Sequence, residues 1–486
     1  MQTKHILQLF MPYIQKEIEN LTEKLKQTWN LKEFEEDVLK LMAHLEACLI
    51  GHIVDECLKD ATFLDQLKVL AGKLGMKFKE YRPLQLHLSN GLQITIASPY
   101  FLKSTGKRGR KKKGPNGRGK HLGLAVMGIL GQATPTFLSQ VVQMALLCPS
   151  FEVAKEVLAE QGVIINVKTI RRYCRLIGEA GMKWRGKISL DGTETLTGVT
   201  MVVGIDGGRL RERRCKRGRW KKGQKRAGFH TDWREPKLFT IYFLNGEGKV
   251  ISELAPLHDA TMGDHQAVFT LLKQYLTALP VAEVDKLVFC GDGAPWIWSD
   301  VVTLCAEMAL DMTKVHQVLD YTHAKQQLGI LLDYVGKRKR KKEKLDSKWH
   351  GHLWNGDIDL LKKEIEQQCV GKKQVAALNK WRKYFKKNES RMQYQAFKKQ
   401  AIPCGSGSVE SAIRRVINLR LKAPGSFWLI EMAEAFLFLR SQLISGRWSI
   451  MIRNLTRQMA RTLLRIHDEN CLVNHFQPRL TNHHGG

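Results

Sequence analysis

From about residue 198 the chain changes rhythm, and this change limits what it can fold into more than any other feature. Thr200–Ile205 is a short apolar run suited to a buried strand, and Leu238–Leu244 with Lys249–Leu254 flank Asn245-Gly246, a hairpin signal. His265–Leu279 carries helical spacing, Lys286–Cys290 reads as another buried strand, Ile297–Met308 as a second helix and Val315–Leu319 as a fifth strand. The order is strand, hairpin, helix, strand, helix, strand.

Acidic residues stand at the ends of these elements. Asp206 lies in Val-Val-Gly-Ile-Asp-Gly-Gly (202–208), Asp292 in Phe-Cys-Gly-Asp-Gly-Ala-Pro-Trp (289–296) and Glu410 in Gly-Ser-Gly-Ser-Val-Glu-Ser (405–411). The first two end or follow an apolar run, and the third opens a helix after a glycine-serine turn. Residues 86 and 118 positions apart can thereby converge on one pocket. Two adjacent carboxylates repel unless cations lie between them, so a metal site relieves the strain it uses. Glycines beside all three acids fit a close approach of phosphate. Each acid also has a plainer reading. Asp-Gly favours turns, and Glu410 can pair with Arg414 one turn on.

The chain has 486 residues, enough for two to four domains, and its 43% hydrophobic content describes a globular protein. Its formal net charge is +31. Such an excess works against a compact fold unless polyanions neutralise it, which makes nucleic acid the leading partner and a membrane surface the competitor. No apolar run reaches the ~18–20 residues that span a bilayer. Met1–Asn20 reads as a charged amphipathic helix rather than a signal peptide. Ten scattered cysteines without C-x-x-C or zinc spacing suit reduced thiols in the cytosol. His483 and His484 belong to a tail.

Six segments follow. Residues 1–102 form an N-terminal helical region ending in a hairpin, Leu84–Ile96, around Asn90-Gly91. Residues 103–120 hold nine Lys/Arg and no acid, a basic linker. Residues 121–182 end in a helix-turn-helix pattern: Ser150 can cap a helix through Ala154 and Leu158, a turn follows at Gly162, and Asn166 caps the next helix. On that helix Lys168, Arg171, Arg172 and Arg175 make a cationic stripe opposite Val167, Ile170, Cys174 and Ile177, which suits DNA recognition or an ordinary solvated face. Residues 198–323 and 402–445 are the catalytic core, interrupted by a basic stretch at 209–226 and by a helical insertion at 324–401. In that insertion Trp349, Trp354 and Trp381 read first as core and second as base-stacking groups. Residues 446–486 form a basic helix and tail.

The second and third acidic motifs, Gly-Asp-Gly-Ala-x-Trp and Gly-Ser-Gly-x-x-Glu-Ser, resemble those of DDE transposases of bacterial insertion sequences, over roughly residues 120–445. The resemblance implies a multidomain α+β protein with helical N-terminal and helix-turn-helix regions. It also implies an α/β ribonuclease-H-like core with a large helical insertion, whose first and fourth strands are neighbours. Asp206, Asp292 and Glu410 would then be the catalytic, metal-binding triad. They would hold two Mg²⁺ (Mn²⁺ substituting) about 4 Å apart, for in-line displacement at a phosphodiester.

Asp320, in Leu-Asp-Tyr-Thr-His (319–323), is the rival third acid, and with His323 it takes an auxiliary, positioning place. Arg414, Arg415, Arg420 and Lys422 extend from the Glu410 helix as phosphate clamps. The implied protein binds double-stranded DNA (element ends and target) as a dimer or higher oligomer in the cytoplasm, associated with the nucleoid. It cuts and joins strands there. A structure-selective nuclease, or an inactive DNA-binding regulator, are the alternatives. No P-loop and no Ser-His-Asp arrangement argues for another chemistry.

Overall fold

A computed structural model describes residues 3–103, 119–186, 195–216, 228–335, 339–458 and 460–461. Most of the basic linker, residues 217–226 of the basic stretch, and the tail with His483 and His484 lie outside the described residues. The chain divides into two compact units. The first holds Met1–Ala145, Phe151–Leu176 and Ile452–Gly486, and the second Leu146–Ser150 and Ile177–Met451. No helix among the described residues is long and apolar enough to cross a membrane.

In the first unit, helices Thr3–Thr28, Leu31–Lys59 and Ala61–Lys73 follow one another. The last starts where the Asp60 carboxylate accepts the Phe63 N–H at 2.7 Å. The expected hairpin forms around Gly91 (φ 83°) and is longer than its sequence signal. Strand β1 (Met76–His87) pairs antiparallel with β2 (Gln93–Lys103), and β2 pairs with the short β3 (Gly119–Lys120). Leu84, Leu86, Leu88 and Ile96 of the hairpin pack with Ala47, Leu58, Leu124 and Ile129. The helix-turn-helix pattern is present: helix Phe151–Glu160, Gly162 at φ 79°, then helix Val167–Met182, whose start is capped by Asn166 Oδ1 accepting the Thr169 N–H at 2.9 Å.

The second unit is built on a five-stranded sheet. Its strands are β4 (Thr200–Gly207), β7 (Lys237–Leu244), β8 (Leu257–Thr261), β9 (Lys286–Gly291) and β10 (Val315–Leu319). Between β4 and β7 in sequence, β5 (Leu210–Cys215) and β6 (Phe229–Arg234) form a separate two-stranded ribbon. The sheet order is β10-β9-β4-β7-β8. β4, β7 and β8 are antiparallel, while β9 runs parallel to β4 and β10 parallel to β9. The first strand of the core therefore neighbours the fourth in sequence, as a ribonuclease-H-like core requires. Residues 200–205 of β4 are all buried, which is why that run reads as continuously apolar rather than alternating.

The third strand departs from its expected place. Within Lys249–Leu254 the pairing stops after an Asn245 N–H to Lys249 O bond, a bridge from Val250 to Leu244 and an Ile251 N–H to Phe243 O bond, and the strand that pairs with β7 is Leu257–Thr261. Asn245-Gly246 does make the turn, with Asn245 Oδ1 accepting from the Glu247 and Lys249 N–H groups. The chain then passes Pro256 before it re-enters the sheet. Leu-His-Asp-Ala-Thr looks unlike a core strand, yet all five residues are buried because their polar groups are paired. His258 Nδ1 bonds Thr240 Oγ1 at 2.8 Å, and Asp259 takes a two-pronged contact from Arg185 with both bonds at 2.9 Å.

Residues 324–401 are helical, and their apolar side chains join the sheet's own core. Trp349, Leu353, Ile358, Leu361, Ile365 and Phe385 are fully buried in the same cluster as Val288 and Val318. Trp349 and Trp381 are thus packing residues, and Trp354 is half-buried against Tyr394. Helix Gly407–Ile413 lies on β4 through Val409, which a Cβ at Gly204 would meet at 3.0 Å.

Candidate active site

Register alone brings three carboxylates into a row. Ile205 of β4 pairs with Gly291 of β9, and Gly291 pairs with Leu319 of β10. The residues next in the chain, Asp206, Asp292 and Asp320, therefore stand at the ends of three adjacent strands. Each is held by a local backbone donor. Asp206 Oδ1 accepts the Gly207 N–H at 2.6 Å, Asp292 Oδ1 the Ala294 N–H at 2.8 Å, and Asp320 Oδ1 the His323 N–H at 2.8 Å.

Glu410 reaches this row through a relay. The buried Asp320 carboxylate accepts the Ser406 backbone N–H on its second oxygen, and Ser406 Oγ donates to Glu410 Oε1 at 3.2 Å. Asp320, His323 and Glu410 each offer a ligand atom, and these atoms all lie within 4.8 Å of one another. His323 Nδ1 sits 3.4 Å from Asp320 Oδ1. Asp206 and Glu410 share an open cleft with Gly208, Arg209, Ile413 and Lys422.

The electrostatics follow from this crowding. Burial pushes the Asp206 carboxyl up to about 6; the charges of Asp292 and Glu410 add to the effect, while the Gly207 N–H and His323 oppose it. Asp320 goes the other way. Burial alone would raise it, but hydrogen bonds from His323 and Ser406 hold it well below the usual carboxylate range. The His323 imidazole is raised by its close contact with the Asp320 carboxylate and by the charges of Asp320, Asp206 and Asp292. The cluster thus holds one carboxylate fixed in its charged form and another that resists charging, a donor set that a divalent cation fits.

Two of the glycines beside the acids have a further reason to be glycine, while Gly405 and Gly407 beside Glu410 face open space. A Cβ at Gly208 would come within 2.5 Å of Ile417, and one at Gly293 within 2.3 Å of the Tyr384 ring. Both make room for the protein's own side chains. Tyr384 was not visible from the sequence as a site residue. It arrives from the helical insertion, its buried hydroxyl has no hydrogen-bond partner among the described residues, and burial with the charges of Asp292 and Asp320 pushes the phenol up. Nothing in Trp-Arg-Lys-Tyr-Phe (381–385) signals that placement.

Among the cations expected beside Glu410, Arg414, Arg415 and Lys422 are exposed, with Arg415 also 3.4 Å from His258 Nε2. Arg420 is not a surface clamp. It is 2% exposed, its guanidinium 5.0 Å from the Trp428 ring centre and 5.3 Å from that of Phe436, because the turn after residue 418 points it inward. In the first unit, Lys168, Arg171, Arg172 and Arg175 are all exposed, and Ile170, Tyr173 and Cys174 are buried on the other side of the helix. Arg171 also lies over the Phe151 ring at 5.0 Å.

No family model and no curated protein matches this sequence. Among solved structures the chain is similar to the Drosophila P element transposase in a strand transfer complex, at 9% identity and a TM-score of 0.24. That match covers 69% of this chain and 86% of the other. A likeness at that score carries no weight for fold or function, so the assignment rests on strand order and the acidic row.

Proposed function

We propose that this protein is a DNA transposase that cleaves DNA strands and transfers them with divalent metal ions. The observation that carries the reading is the row Asp206–Asp292–Asp320 at adjacent strand ends, closed by Glu410. Asp206, Asp292 and Glu410 would hold Mg²⁺, which when bound supplies Lewis acidity to the attacking and leaving oxygens of a phosphodiester. Asp320 fixes the start of the Glu410 helix and orients His323 rather than serving as a principal ligand. Arg209 and Lys422 supply positive charge at the cleft for the DNA backbone, and the exposed Arg414 follows one turn after Glu410. The cationic stripe of helix Val167–Met182 would bind element ends. Joining two ends calls for at least a dimer.

A cleavage and strand-transfer assay tests this, on DNA flanking the coding region, in Mg²⁺ and in EDTA. Specific nicks and joined products from the wild type, lost with Asp292→Ala and Glu410→Gln, are the expected result. Hydrolysis without joined products would favour the nuclease, and binding without cutting the regulator. Cutting that survives Glu410→Gln would give the third-acid role to Asp320.

A further inference from the structure

We propose that the β5–β6 ribbon carries a binding face for unpaired DNA bases, centred on Trp233, beside the acidic cleft. This deepens the transposase reading and rests on it for the kind of ligand, DNA. The argument comes from how the ribbon sorts its residues. In the antiparallel register Leu210 faces Arg234, Glu212 faces Asp232 and Arg214 faces His230, all on one face. That face holds both acids of the ribbon, and both are neutralised there: Glu212 by Arg234 at 2.9 Å, and Asp232 by Arg214.

The other face pairs Arg211 with Trp233, Arg213 with Thr231 and Cys215 with Phe229. It carries two arginines and no acid. Arg213 lies over Phe229 at 4.4 Å, and Arg211 over Phe427 at 4.6 Å and Trp233 at 5.7 Å. The aromatic rings remain open to solvent: Trp233 is 60% exposed, Phe427 38% and Phe229 37%. A large indole left that far out of the core loses burial free energy, and no packing role among the described residues accounts for it.

Rings interleaved with unneutralised guanidinium groups suit a ligand with flat π-faces and negative charge. Unpaired nucleotides have both. A protein partner would also accept aromatic and arginine side chains, but a face with cations and no acid favours the polyanion.

The ribbon's place adds to this. β5 begins four residues after Asp206, and its backbone is bonded to Trp428, beyond the Glu410 helix: Arg213 N–H to Trp428 O at 2.7 Å, and Trp428 N–H to Arg211 O at 2.9 Å. Arg211 also bonds Ala423 O at 3.3 Å, one residue past Lys422 of the cleft. The face is thus tied on both sides to segments that carry the acids. Bases freed near a cut would meet it first.

The test uses the full-length protein in EDTA, so that binding is read without cleavage. The probes are a short single-stranded oligonucleotide carrying 2-aminopurine and the matching blunt duplex. Wild type should quench the 2-aminopurine emission of the single strand, and Trp233→Ala should bind that strand about tenfold more weakly, as loss of one base stack gives. Trp233→Phe should recover most of the affinity, and duplex binding should change less than twofold in either variant. Equal single-strand affinity in wild type and Trp233→Ala would overturn the proposal. So would a normal affinity accompanied by a change of oligomeric state on sedimentation, which would make the face a protein interface. Failure of strand transfer with the stacking intact would count against the transposase reading alone.

Discussion

Asp206→Asn should make the metal-free protein more stable at pH 8 than the wild type, although it removes a residue that the proposed chemistry needs. The Asp206 carboxyl ordinarily titrates at 3.8 and is pushed up to about 6 in the folded chain. That gap of roughly 2 pH units corresponds to about 3 kcal/mol at ~1.36 kcal/mol per unit. The sign follows from the raised value. Folding favours the protonated form, so this contribution is fully present below 3.8 and is lost as the pH rises through about 6. Asparagine keeps an oxygen for the Gly207 N–H and carries no charge against Asp292 and Glu410.

Urea unfolding in EDTA, run from about pH 4 to 8, measures the difference. The two proteins should match near pH 4 and separate to at most about 3 kcal/mol at pH 8, with Asp206→Asn the more stable. Mg²⁺ at a hundredfold excess over its dissociation constant should then raise the wild type by about 2.7 kcal/mol and the variant by much less. A variant no more stable than wild type at pH 8, or a gap that does not close on acidification, would refute the crowded-carboxylate account.

Asp320→Asn should act in the opposite direction, costing about 1–3 kcal/mol near neutral pH, because an amide cannot accept both the Ser406 and His323 N–H groups. Its carboxyl is held low, so the deficit should shrink as the pH falls below 3.8, and faster hydrogen exchange at the Ser406 amide would report the loosened helix. Replacing Arg171 and Arg172 together by alanine should weaken DNA binding and lower the slope of log affinity against log salt by about 2, one per phosphate contact, as read by fluorescence anisotropy. Trp349→Ala, at a fully buried position of the insertion, should cost about 3–5 kcal/mol in urea unfolding; a loss below 1 would mean the insertion packs independently of the sheet.

Most of the sheet was legible because its central strands are buried on both sides, and unbroken apolar runs such as Val202–Ile205 and Leu287–Cys290 have few other uses. The placing of Asp206 and Asp292 followed from those strand ends. The helix-turn-helix was legible from Gly162 and Asn166, residues whose conformations are local. What escaped depended on partners distant in sequence. Leu257–Thr261 could not be read as a strand because the groups that neutralise its histidine and aspartate are Thr240 and Arg185. Arg420 looked like its exposed neighbours until Trp428 and Phe436 enclosed it. Tyr384 reaches the acids only because the whole insertion folds back on β9 and β10, a tertiary fact with no local mark. The ribbon's split into a neutralised face and a cationic one needed the β5–β6 register, which no turn signal at 217–227 supplied.

The Asp320 carboxylate has one more consequence. The Tyr321 N–H donates to Cys404 O at 2.9 Å, and Asp320 itself accepts from Ser406. The chain therefore leaves the sheet and returns to it at a single latch, with some 80 residues strung between as a loop whose two feet touch. A loop anchored in this way can lengthen or shorten at its far helices without changing where its last residue lands. Sequence distance from the third strand-end acid to Glu410 is thereby uncoupled from spatial distance, and the insertion's length can vary at positions that do not pack on the sheet while the acids stay in place.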